Sequence, residues 1–385
     1  MLRSKIDYIL KHYAWVQKCY KIIMGFVFRT IGRFIKTEEN LVLINSMTGK
    51  TFYSSPRAIY DYLQNSSKYD HLRFVWSFIH PEESDLTCEK VKQDSFRYFL
   101  TALKAKYWIT DVNIERGLRF KKKSTIYMNT WHGVAFNYVG NAVVGRNDYN
   151  CDNVDFFCYE SDYQKKIFIR DFNVREDNML PSGLPRNDEL YHINKDEIVN
   201  LKNQMSLPLN KRIILYAPTW RDSYDKGADY VLAPPINFEK WCKEIGEDYI
   251  VLLRTHHFTT KLMNVEFNEF VRDFTSYPRI NDLFKVSDVL ISDYSACIAD
   301  YSILERPIIC FAYDYYEYKK SRGLYVDFNE IMPNGVMFSE QEVIKKIQTM
   351  DYRVECEKTK EMIKDKFTYI GGNATSICVE AMFGR

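Results

Sequence analysis

The sequence predicts two doubly wound α/β domains. From residue 41 onward, short apolar runs alternate with amphipathic segments, and a second such series begins near residue 213. Alternation of strands and helices is typical of parallel sheets covered by helices on both faces. The chain has 385 residues and 46% hydrophobic content, which is enough for two packed cores of ordinary size.

The stretch Ser206–Lys211, which contains Pro208, marks the break between the two series. We therefore expect an N-terminal segment at residues 1–36, a first domain at 37–205, a second domain at 206–354 and a polar, helical tail at 355–385. Apolar runs predict strands at 41–46, 74–79, 107–112, 125–129 and 155–159, then at 213–217, 249–254, 289–292 and 307–313. Helical spacing predicts helices at 55–65, 90–105, 162–171, 238–246, 295–305 and 339–350.

Residues 1–36 form a basic segment rich in aromatic side chains. Asp7 is its single acid, and apolar residues such as Trp15, Phe26 and Phe34 recur at helical spacing. A basic amphipathic helix of this kind binds the headgroup region of an anionic membrane. The alternative is a helix packed on the protein's own body with its lysines in solvent. We favour the membrane-associating helix.

Composition excludes several classes of function. The net charge of +2 gives no polyanion signature, so we expect no nucleic-acid partner. The nine cysteines are scattered without a Cys-x-x-Cys pair, which indicates free thiols in the cytoplasm, and the histidines show no metal-ligand spacing. We see no membrane-spanning run and no convincing signal peptide. P-loop, dinucleotide-binding and hydrolase-elbow motifs are absent from the sequence.

The residues that suggest chemistry lie just after predicted strands, where open parallel sheets bind their ligands. His132, beside Gly133, is placed to accept a proton from a hydroxyl, or else it bonds a loop carbonyl. Asp293 and Ser295 open a helix whose free amides attract phosphate, unless they form an ordinary N-cap. Arg254 suits bidentate phosphate recognition, and His256 suits charge stabilisation or proton donation.

Further polar groups follow other strands. Thr219 and Arg221 are candidates for a nucleotide pocket, although Arg221 also has Asp222 as a pairing partner. Arg322 and Gly323 offer a cation beside a flexible backbone. The turn Gly183–Asp188 includes Arg186, Asn187 and Asp188, for which a structural inter-domain turn is the stronger interpretation. Together these side chains predict a site for a phosphate-rich ligand that needs no metal and no cofactor.

Six motifs in order across residues 125–340 resemble the CDP-glycerol glycerophosphotransferase family, which includes the teichoic acid primases and polymerases. They are Trp131-His132-Gly133, Gly183-Leu184-Pro185-Arg186-Asn187-Asp188, Tyr216-Ala217-Pro218-Thr219-Trp220-Arg221, Arg254-Thr255-His256, Asp293-Tyr294-Ser295 and Arg322-Gly323. The resemblance implies a GT-B-like fold, in which two Rossmann-like domains face a cleft. It also implies transfer of glycerol or ribitol phosphate from a CDP-polyol to a hydroxyl of a lipid-linked saccharide or teichoic acid, with release of CMP.

The resemblance also implies roles for single residues. His132 matches the family's proposed base and His256 its second essential histidine, while Arg254 and Ser295 match donor-site positions. We extend the donor site to Asp293, Thr219, Arg221, Arg322 and Gly323. Trp131, Gly133, Asn137, Arg186, Asn187 and Asp188 are candidates for the acceptor side or the cleft. We then expect a peripheral protein on the cytoplasmic face of an anionic membrane. The sequence leaves its oligomeric state open.

Two positions depart from the family pattern. Val134–Tyr138 replaces the usual Thr-Pro and Lys after Trp-His-Gly, and we expect this segment to face the acceptor. Ala296 stands where the family often has a second hydroxyl.

Two alternatives to the polyol-phosphate transferase function stay open. One is a GT-B glycosyltransferase that uses a nucleotide sugar, and the other is a non-catalytic, membrane-associated binding protein.

Overall fold

Two parallel sheets form the framework of the protein. The structure, a computed structural model, describes residues 14–219, 234–255 and 265–384. Seven strands form the first sheet in the order β3-β2-β1-β4-β5-β6-β7, and six form the second in the order β10-β9-β8-β11-β12-β13. The strand pairs of both sheets are parallel. This arrangement confirms the predicted α/β class.

The strands are β1 Glu38–Asn45, β2 Arg73–Phe78, β3 Glu89–Lys92, β4 Ala105–Thr110, β5 Ile126–Asn129, β6 Phe156–Cys158, β7 Met179–Leu180, β8 Arg212–Tyr216, β9 Tyr249–Leu253, β10 Val271–Asp273, β11 Val289–Ser292, β12 Ile308–Phe311 and β13 Val336–Met337. The helices are α1 Ala14–Phe34, α2 Ser55–Gln64, α3 Phe96–Lys104, α4 Asp162–Phe172, α5 Asp188–Tyr191, α6 Lys195–Gln204, α7 Phe238–Ile245, α8 Ile280–Val286, α9 Cys297–Ser302, α10 Tyr315–Arg322, α11 Phe328–Ile331, α12 Glu340–Thr349, α13 Tyr352–Thr359, α14 Asp365–Phe367 and α15 Ala374–Phe383.

The predicted strands are present with bounds shifted by a few residues, but the outermost strand at each edge of both sheets was not predicted. Those four strands, β3, β7, β10 and β13, are two to four residues long and only partly buried. Short edge strands need no continuous apolar run, so periodicity does not reveal them. The predicted helix at 90–105 was wrong in its first part, because β3 occupies that part and Ser95 caps a helix that begins at Phe96.

Helix α1 packs on the first domain through one face. Its Phe28 ring stacks on Phe99 with centroids 4.7 Å apart and also contacts Phe120. A β-carbon at Gly25 would lie 2.3 Å from the Leu118 carbonyl oxygen, so a glycine permits this close approach. No helix within the three described ranges is both long and apolar enough to cross a bilayer.

The end of the chain returns to the first sheet. Helix α15 is largely apolar, and its Cys378, Val379 and Met382 are buried in the same cluster as Val42 and Ile44 of β1. The expectation of a polar tail was therefore wrong for this helix. Burial of this apolar face holds the C-terminal segment against the first domain.

The segment after His132 also joins the two domains. Val134 and Phe136 are buried in the core cluster of the second domain, together with Leu215 and Leu290. Asn137 forms an isolated antiparallel bridge with Leu324. The expectation that residues 134–138 face the acceptor was therefore wrong for Val134 and Phe136, because their side chains fill a core.

Candidate active site

Each sheet has a switch point where the strand order reverses, and an aspartate follows the strand on one side of it. In the first sheet, the Asp111 carboxylate after β4 accepts hydrogen bonds from Ser46 Oγ at 2.9 Å and Met47 N at 2.7 Å, which follow β1. In the second sheet, Asp293 Oδ1 after β11 accepts from Thr219 N at 2.8 Å, which follows β8. Switch points are where open α/β sheets bind ligands.

His132 lies after β5, next to the first switch point, and one of its ring nitrogens is fixed. Nδ1 is 2.7 Å from the carbonyl oxygen of Asp111. Because a carbonyl oxygen can only accept, Nδ1 carries the proton, and the neutral ring keeps its lone pair on Nε2. Nε2 is therefore the ring nitrogen that is available to take a proton in general-base catalysis.

The backbone around His132 is held in an unusual conformation. Trp131 has a φ of 55°, in the left-handed region that a bulky residue rarely adopts. Its amide donates to Asn129 Oδ1 at 2.8 Å, and its ring lies 4.0 Å from the His132 ring, centroid to centroid. The indole also contacts Phe168 and Phe172. This packing restricts the orientation of the imidazole.

Burial lowers the pKa of His132, and the nearby Arg186 guanidinium lowers it further, while the Asp111 carbonyl and carboxylate act in the opposite direction. The unprotonated imidazole therefore persists below the ordinary pKa of 6.5. A histidine of this kind is available as a base throughout the neutral range.

Gly133 brings the first domain against the start of α9 in the second domain. Its φ is 138°, and a β-carbon there would lie 3.0 Å from Ala296 Cβ and 3.4 Å from Arg186 Nη2. His132 is thus next in sequence to a direct contact between the domains. The small side chain of Ala296 allows this contact, which gives the departure from the family pattern a packing role.

Arg186 and Asn187 bind a carboxylate of the opposite domain. Arg186 Nη2 donates to Asp300 Oδ2 at 2.7 Å, and Asn187 Nδ2 donates to Asp300 Oδ1 at 2.7 Å. The Arg186 and Asp300 side chains are only 15% and 6% exposed. Burial and the nearby Asp300 carboxylate raise the pKa of Glu160 to about 8. The ion pair fixes Arg186 beside Gly133.

The second domain contributes the cation Arg254, which follows β9. Its backbone amide bonds to the Tyr216 carbonyl, and its Nη1 donates to the Tyr277 carbonyl at 2.5 Å. Burial lowers the pKa of Arg254, and the nearby Cys297 thiol, at the start of α9, acts in the opposite direction. Arg254 thus lies close to Cys297, the first residue of α9, which follows the turn that contains Ser295.

Asp293 and Ser295 shape the turn before α9. Asp293 Oδ1 accepts from the amides of both Thr219 and Tyr294, and Ser295 Oγ accepts from Cys297 N at 3.3 Å. The helix begins at Cys297 and has six residues, so the predicted helix at 295–305 was too long. A short helix has a small dipole, which leaves the hydroxyl and amides of the turn as its main means of binding an anion.

Other predicted site residues have structural partners. Asp188 caps α15, since its carboxylate oxygens accept from Ala374 N and Thr375 N, each at 2.8 Å. Gly323, with a φ of 73°, accepts a bond from Tyr138 N at 3.1 Å, and it follows Arg322, the last residue of α10. His256 and Arg221 lie outside the described residues, as does Trp220.

Comparison with known proteins identifies the family. The family model for CDP-glycerol:poly(glycerophosphate) glycerophosphotransferases matches residues 27–384. The chain belongs to this family. Among its relatives, the teichoic acid poly(glycerol phosphate) polymerase of Bacillus spizizenii is 31% identical, with 100% of each chain covered. The polymerase of the same description from Staphylococcus epidermidis is also 31% identical, over 84% of this chain. The chain spans 48% of the length of that second relative.

The chain is similar over nearly its whole length to a solved structure of the wall teichoic acid polymerase TagF. The TM-score is 0.81 and the identity is 26%, with 99% of this chain and 97% of that chain covered. TagF has also been solved as a variant soaked with CDPG. The GT-B-like arrangement implied by the sequence is therefore confirmed.

Asp111, Glu160 and Asp300 of this family member were not assigned to the site from the sequence. Asp111 lies inside the predicted strand 107–112, but the observed strand β4 ends at Thr110, so the misplaced boundary hid an acid that directly follows a strand. Asp300 lies among the buried apolar residues Ile298 and Ala299 of α9. A buried acid needs a cation as partner, and that pattern was the available signal.

Proposed function

We propose that this protein transfers a polyol phosphate from a CDP-polyol to an acceptor hydroxyl and releases CMP. The observation that carries the proposal is the state of His132, whose Nδ1 is bonded to the Asp111 carbonyl while its Nε2 keeps a lone pair, next to the contact between Gly133 and Ala296. A general base between two domains suits a reaction that joins a donor bound by one domain to an acceptor bound by the other.

In this mechanism, the acceptor hydroxyl attacks the β-phosphorus of the donor in line with the departing CMP. His132 removes the hydroxyl proton as the new O–P bond forms and the bond from phosphorus to the CMP oxygen breaks. Arg254 and the turn at Ser295 stabilise charge on the diphosphate. Transfers of this type depend chiefly on positioning and electrostatic stabilisation, which cations and fixed hydrogen-bond donors provide.

The remaining donor-site assignments are part of the same proposal. Thr219, Arg221, Arg322 and Gly323 extend the donor site, His256 acts near the diphosphate, and Asp293 positions the Thr219 and Tyr294 amides. Trp131 helps to orient His132 through the contact between their rings. Asn187 helps to hold Asp300 through its side-chain hydrogen bond. The chemistry requires no cofactor.

Glycerol phosphate is the proposed cargo, since the family description and both polymerases above carry that name. The test is CMP release from purified protein with CDP-glycerol, CDP-ribitol or a UDP-sugar, each with a lipid-linked disaccharide as acceptor. We expect release from CDP-glycerol that depends on acceptor. Turnover with the UDP-sugar alone would instead indicate a glycosyltransferase.

We also propose that the protein is peripheral on the cytoplasmic face of a membrane. The face of α1 opposite Phe28 carries apolar side chains that are 59% to 86% exposed, and these are Trp15, Ile22, Ile23, Phe26 and Phe34. Exposed basic residues of the same helix, Lys18, Arg29 and Arg33, border that face. The nine cysteines all lie within the described residues and form no disulfide there, which supports the cytoplasmic side.

Replacing Ile22 and Phe26 together with serine is expected to reduce binding to anionic vesicles several-fold. Each side chain loses apolar area that the bilayer interface would bury, worth roughly 1.5–3 kcal/mol when burial is complete. Sedimentation with vesicles containing phosphatidylglycerol measures the bound fraction. The matched control replaces two exposed valines elsewhere, Val199 and Val354, with serine. Equal sedimentation of the two double variants would refute the role of α1.

A further inference from the structure

A cavity between the two domains lies beside Arg186 and has not been assigned a role. It measures about 280 Å³ and is formed by the start of α2, the turn at 185–189, the start of α8 and Thr375. Ligand sites are commonly about 300–1,000 Å³. The cavity therefore has room for one small unit, such as a single sugar or polyol, and is too small for a nucleotide.

Three polar atoms around this inter-domain cavity have no hydrogen-bond partner among the described residues. They are Ser54 Oγ, Arg186 Nε and Asn281 Oδ1, and Ser54 and Asn281 are each only 6% exposed. Ser54 is the N-cap residue of α2, yet its side chain caps nothing. Leaving such groups buried and unpaired costs about 1–3 kcal/mol each, so a ligand toward which these side chains rotate would give them the partners that they lack.

The chemistry of the lining favours an uncharged ligand rich in hydroxyls. Arg57, Arg186 and Arg279 oppose Asp61, Asp188 and Glu189, so the formal charges cancel. Arg57 Nε is paired with Asp61 at 2.6 Å, and Arg279 Nη2 with Glu189 at 2.8 Å. Hydroxyl groups both donate and accept, which matches unpaired groups of both kinds. The exposed ring of Tyr53 adds an apolar surface for the carbon face of a sugar or polyol.

Arg186 connects this cavity to the candidate base. Its side chain lines the cavity, while its Nη2 lies 3.4 Å from the β-carbon position of Gly133, the residue after His132. We propose that the inter-domain cavity is an acceptor subsite that binds one uncharged polyhydroxyl unit, either a saccharide of a lipid-linked acceptor or the polyol of a growing chain. The inference rests on the proposed function and names the part of the acceptor that this site holds.

Ala58→Phe tests the subsite by filling it. Ala58 lies on α2, lines the cavity and is partly exposed, so a phenyl ring there enters the cavity without removing a bond. We expect the KM for the acceptor to rise about tenfold or more, with the KM for CDP-glycerol nearly unchanged, because binding of the acceptor alone is lost. Ser54→Ala should give a smaller rise. Ala381→Phe, on α15 in a different surface groove, is the matched control.

Comparing two acceptors shows whether the polyhydroxyl unit in the cavity is a saccharide of the lipid-linked acceptor or the polyol of a growing chain. A soluble analogue of the lipid-linked disaccharide and a short glycerol phosphate oligomer are compared, and the acceptor whose KM rises in Ala58→Phe is the one the cavity holds. Unchanged KM values for both would overturn the inference. If the wild-type protein releases no CMP from any donor, the proposed function fails, and ligand-observed NMR with the same two acceptors decides about the cavity. Weaker binding in Ala58→Phe supports the subsite, and equal binding overturns it.

Discussion

Replacing His132 with alanine is expected to lower kcat about 10²–10⁴-fold, the contribution of a positioned general base. The donor diphosphate is proposed to bind the second domain, so the dissociation constant for CDP-glycerol should stay within a few-fold of the wild-type value. CMP release measures the first quantity, and titration calorimetry measures the second. His80→Ala, which removes an exposed histidine, is the control and should retain full turnover.

The pH dependence of kcat/KM gives an independent check on the same residue. Only unprotonated His132 can accept a proton, and burial lowers its pKa below the ordinary 6.5. The rate should therefore be constant through neutral pH and fall on the acid side, at a pH below 6.5. Near-normal turnover of His132→Ala, or an unchanged acid limb in that variant, would remove His132 from the role of base.

Asp300→Ala is expected to destabilise the protein by about 3–5 kcal/mol, because it leaves the buried Arg186 charge without its carboxylate. Asn187 loses its acceptor in the same variant. The shift in thermal or urea midpoint measures the effect. Glu269→Ala is the matched control, since it removes the carboxylate of an ion pair on the surface, where Glu269 is 98% exposed and the pair contributes little.

A second variant separates loss of an ion pair from loss of packing. Replacing Arg186 with methionine and Asp300 with leucine removes both charges, and it should recover much of the stability that Asp300→Ala loses. The double variant should still turn over poorly, because Arg186 also lies beside Gly133 and lines the acceptor cavity. A midpoint shift for Asp300→Ala no larger than that of Glu269→Ala would contradict the buried pairing.

The sequence predicted the central strands and the position of His132 because both depend on local pattern. A buried parallel strand is an apolar run, and the polar residues that follow it mark the ligand edge of the sheet. The edge strands were missed because they are too short to show a pattern, and β13, for example, has two residues. The apolar character of α15 was missed because the surface that this helix covers belongs to a sheet that is distant in the sequence.

The contacts between domains were the other part that local pattern did not reveal. Asp188 was a candidate for the acceptor side or the cleft, with a structural turn as the stronger interpretation, and its carboxylate caps a helix that begins 186 residues later in the chain. Val134 and Phe136 were expected to face the acceptor, but they fill the core of the second domain. Such pairings depend on how the two domains meet, and a single sequence contains no direct signal of that geometry.

Product analysis tests the central claim most directly. Purified protein is incubated with CDP-glycerol and a lipid-linked disaccharide, and both the nucleotide and the acceptor are analysed by mass spectrometry. The proposed mechanism breaks the bond between the β-phosphorus and the CMP oxygen. We therefore expect one CMP for each glycerol phosphate added to the acceptor. Release of CDP with transfer of glycerol alone, or recovery of unmodified acceptor under all conditions, would contradict the assigned reaction.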